Sequence, residues 1–170
     1  VYVYDIRMES SARFVEESQA KYPNVEFVAV AEPKDAVKDS DIIICVTMAN
    51  TPFIKADRLK KGSLLMNMAD FEVTYDCVKK ANKIVVDNWE TIKHRMISTV
   101  ALMWKDGVIK DEDIYAQLGQ ILTGDKKERE NDEIIYFNAV GTGILNIAVT
   151  TRCYRKALEL GKGVRLAYWE

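Results

Sequence analysis

The chain has 170 residues, 48% of them hydrophobic, enough for one domain with a sizeable core. Lys plus Arg number 24 and Asp plus Glu 26, so a net charge of −2 gives no electrostatic reason to expect a nucleic-acid or anionic-membrane partner. No run approaches the roughly 18 apolar residues of a membrane span. Cys45, Cys77 and Cys153 lie far apart in apolar surroundings, with no Cys-x-x-Cys or Cys/His cluster, which speaks against a metal site and for reduced, buried thiols in a cytoplasmic protein.

The sequence opens on Val1-Tyr2-Val3-Tyr4, a short β-branched and aromatic strand closed by Asp5. There is no initiator Met and no signal-peptide pattern, and a first residue in mid-strand is read as a chain cut from something longer. Ser10 or Ser11 is expected to cap a helix that carries Ala12, Phe14, Val15 and Ala20 and leads to Tyr22-Pro23. Residues 25–30 predict the next strand, and Pro33 starts a short helix over 34–38. Asp41 precedes the apolar run Ile42-Ile43-Ile44-Cys45-Val46, which ends at Thr47. The rhythm then repeats, with a connector at 59–62, a strand at 63–67, a short helix at 74–81 and a strand at 83–87.

Near-continuous apolar strands alternating with short helices are the pattern of a parallel sheet covered on both faces. After Trp89 the rhythm changes. A helix is expected over 89–104, and a second over 111–122 with an acidic first turn that suits the helix dipole. A charged loop at 123–132 leads to a strand at 133–140, then Gly141-Thr142-Gly143 and a final helix over 144–160 ended by Gly161. The predicted fold class is α/β, a doubly wound, mostly parallel sheet of the Rossmann type that is incomplete at its N-terminal βα unit. Residues 1–143 are read as the partial dinucleotide-binding domain and residues 144–170 as a C-terminal helix and tail.

Doubly wound sheets bind ligands at the carboxyl ends of their strands. Asp5 is the sharpest candidate there. An acid ending the second strand commonly hydrogen-bonds the adenosine ribose hydroxyls and repels a 2′-phosphate, which favours NAD over NADP. Arg7 is placed to accommodate that phosphate, and an Asp capping the following turn is the plain structural use of the same position. Val46 and Thr47 follow the most apolar strand, where a Thr hydroxyl and open amides can line nicotinamide and ribose, or form an ordinary turn before Pro52.

Met68 ends the next strand. Asp70 and Glu72 beyond it offer carboxylates for proton transfer on an amine or imine, against a solvated loop as the simpler reading. Val140 and Gly141 stand at a strand-to-helix turn where backbone can approach a ligand, although Gly141-Thr142-Gly143 is not GxGxxG and tight helix–strand packing would also use it. His94, the single histidine, is read as structural or solvated, residues 125–130 as a solvated loop, and Tyr154 and Trp169 as core or interface.

These pieces in this order resemble the ornithine cyclodeaminase/μ-crystallin family. The segments that carry the resemblance are Val3-Tyr4-Asp5, residues 39–47, Ala81-Asn82-Lys83-Ile84-Val85-Val86-Asp87-Asn88, the Asp113-Ile114-Tyr115-Ala116-Gln117-Leu118-Gly119 stretch within 107–124, and residues 133–137 leading into Gly141-Thr142-Gly143-Ile144-Leu145-Asn146. The resemblance implies an NAD(P)-binding Rossmann domain, a separate substrate domain built mostly from residues ahead of a Gly-rich loop, and homodimers joined through that substrate domain. It implies chemistry on amino acids through imine intermediates: cyclodeamination, dehydrogenation or ketimine reduction. Residues 144–170 would then pack towards the substrate domain.

Carried over by position, Asp5 matches the ribose-binding acid, Thr47 the residue beside the cofactor, Asp70 the catalytic Asp, and Val140 and Gly141 the loop near the nicotinamide. Ala69-Asp70-Phe71-Glu72 is shorter than the family's Gly-x-Asp-x-Pro-Gly-Lys-x-Glu loop, so either Asp70 is that Asp with a deletion behind it or only Glu72 aligns. Asn146 replaces a common Asp, and Glu128 stands where a Gly usually precedes Arg129. The short loop favours a dehydrogenase or reductase over a strict cyclodeaminase.

The first strand and its Gly-rich loop have no counterpart here. In the 3-2-1-4-5-6 order that strand is central, and leaving its neighbours unpaired costs roughly 1–3 kcal/mol per buried group. The chain is therefore expected to borrow a strand or to belong to a longer polypeptide. The first functional expectation is an NAD-dependent oxidoreductase portion acting on an amino acid or its imine. The alternatives are a non-enzymatic NAD(P)H- or small-ligand-binding protein of the μ-crystallin type, and, from fold analogy alone, a shikimate- or tetrahydrofolate-type dehydrogenase, against which residues 107–124 argue.

Overall fold

The structure, a computed structural model, describes residues 1–68 and 71–167, in two compact units, residues 1–140 and 141–170. In the first unit, β1 (Tyr2–Val3), α1 (Met8–Lys21), β2 (Val28–Ala29), α2 (Pro33–Val37) and β3 (Ile42–Cys45) lead to β4 (Leu64–Asn67), α3 (Tyr75–Lys80) and β5 (Lys83–Val86). Then come α4 (Trp89–Arg95), α5 (Thr99–Lys105), β6 (Ala116–Gln117), α6 (Leu118–Leu122) and β7 (Ile135–Asn138). The second unit holds α7 (Gly143–Glu159), with Thr142 at its N-cap and Ile144, Leu145 and Ile147 exposed.

Every named strand pair is parallel. The five-stranded sheet has the order β3-β4-β7-β5-β6, and β1 pairs with β2 in a separate ribbon. The register places Ile43, Leu65, Tyr136 and Ile84 in one row and Cys45, Asn67, Asn138 and Val86 in the next, all on the same face. That face is buried against Val78 of α3, Trp89 and Ile92 of α4, and Val100, Ala101 and Met103 of α5. The sequence led us to expect cover on both faces. On the opposite face Val85 and Ile135 are buried, but at β3 Ile42 and Ile44 are each 60% exposed. An apolar hollow of about 670 Å³ lies over this face, lined by Ile42, Leu64, Met66 and Phe137 together with Leu118 and Ile121.

β1 and β3 do not pair with each other. A cavity of about 450 Å³ lies between them, lined by Val1, Tyr2 and Tyr4 on one side and Ile42, Ile44 and Thr47 on the other. In the 3-2-1-4 order of doubly wound sheets this is the place of the first strand. The cavity therefore coincides with the strand that the sequence analysis found without a counterpart.

Four local expectations are corrected. Arg7, not Ser10 or Ser11, stands at the N-cap of α1; Ser11 lies in the first turn and its hydroxyl bonds back to the carbonyl of Met8. The helix expected over 89–104 is two helices. Asn88 caps the first by accepting from the Thr91 N–H at 2.8 Å, and Met96, at φ +54°, ends it in the left-handed region. The break lets α5 turn Val100 and Met103 into the core independently of α4.

The helix expected over 111–122 is a 3₁₀ turn, Asp111–Asp113, followed by β6 and the short α6. Tyr115 donates its N–H to Ile84 and Ala116 pairs with Val85, so an open sheet edge outcompetes the local helical pattern. The acidic residues there cap and brace: Asp113 accepts from the Lys110 N–H, and Asp111 from Trp89 Nε1 and Lys93 Nζ. Finally, Cys153 is exposed on α7, whereas Cys45 and Cys77 are buried.

Burial pushes the thiols of Cys45 and Cys77 up from their ordinary range, with the Glu72 carboxylate adding to the effect at Cys45. A thiol-reactive disulfide reagent at mildly alkaline pH is therefore expected to titrate Cys153 alone in the native protein and all three cysteines after denaturation. Rapid native modification of Cys45 or Cys77 would contradict this packing.

Candidate cofactor site

Because the strands of the five-stranded sheet are parallel, their carboxyl ends share one edge, followed by Val46 and Thr47, Met68, Asp87 and Val140, while Asp5 follows the carboxyl end of β1 in the ribbon. Asp5 accepts the Arg7 N–H at 2.8 Å, and the Arg7 guanidinium lies 4.0 Å away in solvent. The two sequence readings of Asp5 are compatible in space: Oδ1 caps the turn into α1, and Oδ2 carries no hydrogen bond from the described residues.

Glu72, for which a solvated loop was the simpler reading, is fully buried. Its Oε1 accepts from both the N–H (2.9 Å) and the hydroxyl (3.1 Å) of Thr47. Its Oε2 accepts from Asn67 Nδ2 at 2.6 Å. Tyr136 donates its hydroxyl proton to Asn67 Oδ1 at 2.8 Å, and Asn138 donates Nδ2 to the Asn67 carbonyl at 2.6 Å. Burial pushes the Tyr136 phenol well above its ordinary range, with the neighbouring Cys45 thiol adding to it, so the hydroxyl keeps its proton and stays a donor.

Asn138 Oδ1 and the hydroxyls of Ser63 and Ser98 are the buried polar side-chain atoms without a partner among the described residues. The Glu72 main chain belongs to the same structure, because its carbonyl accepts from Phe53 and Ile54.

Thr47 is thereby turned inward. Both of its donors go to Glu72, and its hydroxyl oxygen accepts from the Ala49 N–H at 3.2 Å. What the segment presents to solvent is Val46, 72% exposed, and Met48, 94% exposed. Met68 is partly exposed at the end of β4, its N–H bonded to the Cys45 carbonyl. Val140 has its N–H on Asp87 Oδ2 and its carbonyl on Arg95 Nη1, so its peptide groups are committed to holding the end of β7.

In the other unit, Gly141 has φ +81°, a conformation that favours glycine. Asn146 lies in the first turn of α7, its N–H on the Thr142 carbonyl. His94 is exposed in the last turn of α4. Asp70, read from the sequence as the catalytic residue, lies outside the described residues, as does Trp169. Sequence reasoning missed Asn67, Asn138 and Tyr136. A signal existed: an amide side chain closes two of the apolar runs, at Asn67 and Asn138.

A parallel sheet with helices between its strands and a parallel ribbon followed by Asp5 define a Rossmann-type α/β domain. The chain belongs to the ornithine cyclodeaminase/mu-crystallin family, whose profile matches residues 1–161. It is 35% identical over 98% of its length to the N-((2S)-2-amino-2-carboxyethyl)-L-glutamate dehydrogenase of Staphylococcus aureus, covering 49% of that protein.

Among solved structures it matches the Thermococcus litoralis Delta(1)-pyrroline-2-carboxylate reductase in complex with NADH and L-proline, with a TM-score of 0.86 and 31% identity over 97% of this chain and 52% of that one. An archaeal alanine dehydrogenase dimer with bound NAD matches with a TM-score of 0.89 and 27% identity, over 99% of this chain and 52% of that one. The chain spans about half the length of the curated relatives it matches.

Tyr136→Phe removes the donor that satisfies Asn67 Oδ1 inside the core. The expected loss is about 1–3 kcal/mol of stability, read by denaturant titration. A change within error would show that this network does not hold the sheet together.

Proposed function

We propose that this chain is the cofactor-binding portion of an NAD-dependent oxidoreductase that acts on an amino acid or its imine. The observation that carries the reading is Asp5, an acid with one free oxygen at the end of β1, beside the cavity where the first strand of a doubly wound sheet would run. The names of the similar proteins agree with it: a dehydrogenase of an N-substituted glutamate, a pyrroline-carboxylate reductase with NADH, and an alanine dehydrogenase with NAD.

When bound, the nicotinamide supplies or accepts a hydride. In this reading Asp5 holds the adenosine ribose hydroxyls and disfavours a 2′-phosphate, while Arg7, exposed to solvent, gives NADP a weaker hold. Val46, Met68 and the loop headed by Thr47 line the nicotinamide end, and the Val140–Gly141 turn approaches it through backbone. Asp70 gives or takes the proton that accompanies hydride transfer at the imine nitrogen. The whole protein is read as a cytoplasmic homodimer. The dimeric alanine dehydrogenase and the buried reduced thiols of Cys45 and Cys77 support this.

Titration of the full-length protein with NADH and NADPH tests the cofactor assignment. Asp5→Ser is expected to weaken NADH binding by roughly tenfold, about 1.4 kcal/mol, and to narrow the preference over NADPH. An unchanged preference would remove Asp5 from the site. Asp70→Asn is expected to abolish amino-acid-dependent NAD reduction while NADH binding persists, and retained turnover would sink the catalytic assignment. Tight NADH binding by the unmodified protein with no turnover on any amino or imino acid would favour the non-enzymatic reading instead.

A further inference from the structure

Glu72 touches both ends of one loop. Its carboxylate takes the amide and hydroxyl of Thr47, at the exit of β3, and its main-chain carbonyl takes the amides of Phe53 and Ile54, where the same loop rejoins the domain. Phe71 next to it donates its N–H to the Ala49 carbonyl, and Val73 on the other side forms a parallel bridge with Ile54. The loop between, residues 48–52, is thus clamped at its start, its middle and its end by residues 71–73. Yet Met48 and Asn50 face solvent. A segment so exposed would ordinarily be mobile, because ordering each residue costs about 1–2 kcal/mol.

The carboxylate is itself held from behind. Asn67 donates to Oε2, and Tyr136 fixes the Asn67 amide, so the order runs from the centre of the sheet at β7, through β4, to the loop. A fully buried acid with one oxygen on this loop and the other on Asn67 does not reach solvent at the strand ends, where a substrate would sit. We propose that Glu72 is a positioning residue: it pre-orders the 47–52 loop so that its exposed Val46–Met48 edge is already set for the cofactor. The proposal rests on the cofactor reading above for the ligand, but not for the ordering itself.

It also assigns Thr47 a different part from the one expected of it. The Thr47 donors are spent on Glu72, so the residue contributes loop geometry rather than a hydrogen bond to ribose or nicotinamide.

Amide hydrogen exchange on the ligand-free full-length protein tests the ordering. In Glu72→Gln the Thr47 and Ala49 amides are expected to exchange roughly 10–100-fold faster, the loss of one charge-assisted acceptor, while Leu65 and Val86 stay protected. Thr47→Val, which removes the hydroxyl and keeps the amide, is expected to accelerate Ala49, and Thr47→Ser, which keeps both donors, to restore protection. This second pair reads the same clamp if Glu72→Gln does not fold. Equal protection in wild type and Thr47→Val, or acceleration spread evenly over the core, would overturn the proposal.

NADH is then titrated into the same proteins. Binding is expected to weaken several-fold in Glu72→Gln with kcat at saturating NADH and its pH profile little changed. A fall in kcat with an altered pH profile and unchanged NADH binding would make Glu72 a proton-transfer group and overturn the positioning role. Failure of the wild-type protein to bind NADH would refute the cofactor reading alone, since the exchange measurement needs no ligand.

Discussion

Parallel strands cannot be closed by tight turns, so each must be carried into place by a crossover and then held by long-range packing. Here that requirement falls on β7. It is the last strand in the chain, and it takes the middle of the five-stranded sheet, with β4 on one side and β5 on the other. Ile135 stands opposite both Leu64 and Lys83, and Asn138 opposite both Asn67 and Val86. Among the described residues, β7 is the ladder through which the β3–β4 half of the sheet meets the β5–β6 half. Its insertion also brings Asn138 to the Asn67 carbonyl, Tyr136 to the Asn67 amide and Val140 to Asp87. The strand ends are aligned because β7 aligns them.

The polar groups at this junction are an unusual load for a core. Asn67, Glu72 and Asn138 are fully buried where apolar side chains fill the rest of the sheet face. A buried polar group is tolerable when its hydrogen bonds are made, and it then fixes direction as well as distance, which apolar packing does not. Glu72 meets this condition with three donors, and Asn67 with a donor to its amide oxygen, an acceptor for its amide nitrogen and a donor to its carbonyl. The result is a hydrogen-bonded corner at the carboxyl ends of β3 and β4, beside which apolar Val46 and Met48 face solvent.

The sheet is covered unevenly: in its β5–β7 half Val85 and Ile135 are buried on the face opposite Ile84 and Tyr136, whereas β3 is open on that face. α3, α4 and α5 close the face that carries Ile43, Leu65 and Tyr136, while Ile42 and Ile44 on the other face meet solvent, and the β1–β2 ribbon stands apart from β3. All named strand pairs are nonetheless parallel, as in a Rossmann-type domain, with β7 inserted between β4 and β5, and the chain aligns with about half of each similar full-length protein.

The amino-acid sequence by itself determined the class of this domain and which residues lie at the carboxyl ends of its strands. Runs such as Ile42-Ile43-Ile44-Cys45 and Ile84-Val85-Val86 mark strands of a parallel sheet, and the residue that follows each run then falls at a strand's carboxyl end, which is how the placement of Asp5, Thr47, Met68 and Val140 was legible in the sequence. Local pattern misled where a distant partner decided the outcome. Residues 114–117 joined the edge of β5 instead of continuing a helix, and Met96 broke a helix so that two separate faces could reach the core. Glu72 looked like a loop acid because the partners that satisfy its buried carboxylate are set in place only by the sheet. Its donors come from Thr47, 25 residues earlier, and from Asn67, whose amide is fixed by Tyr136, 69 residues further on. Only the folded sheet brings them together, so only the tertiary structure could make that acid part of the core.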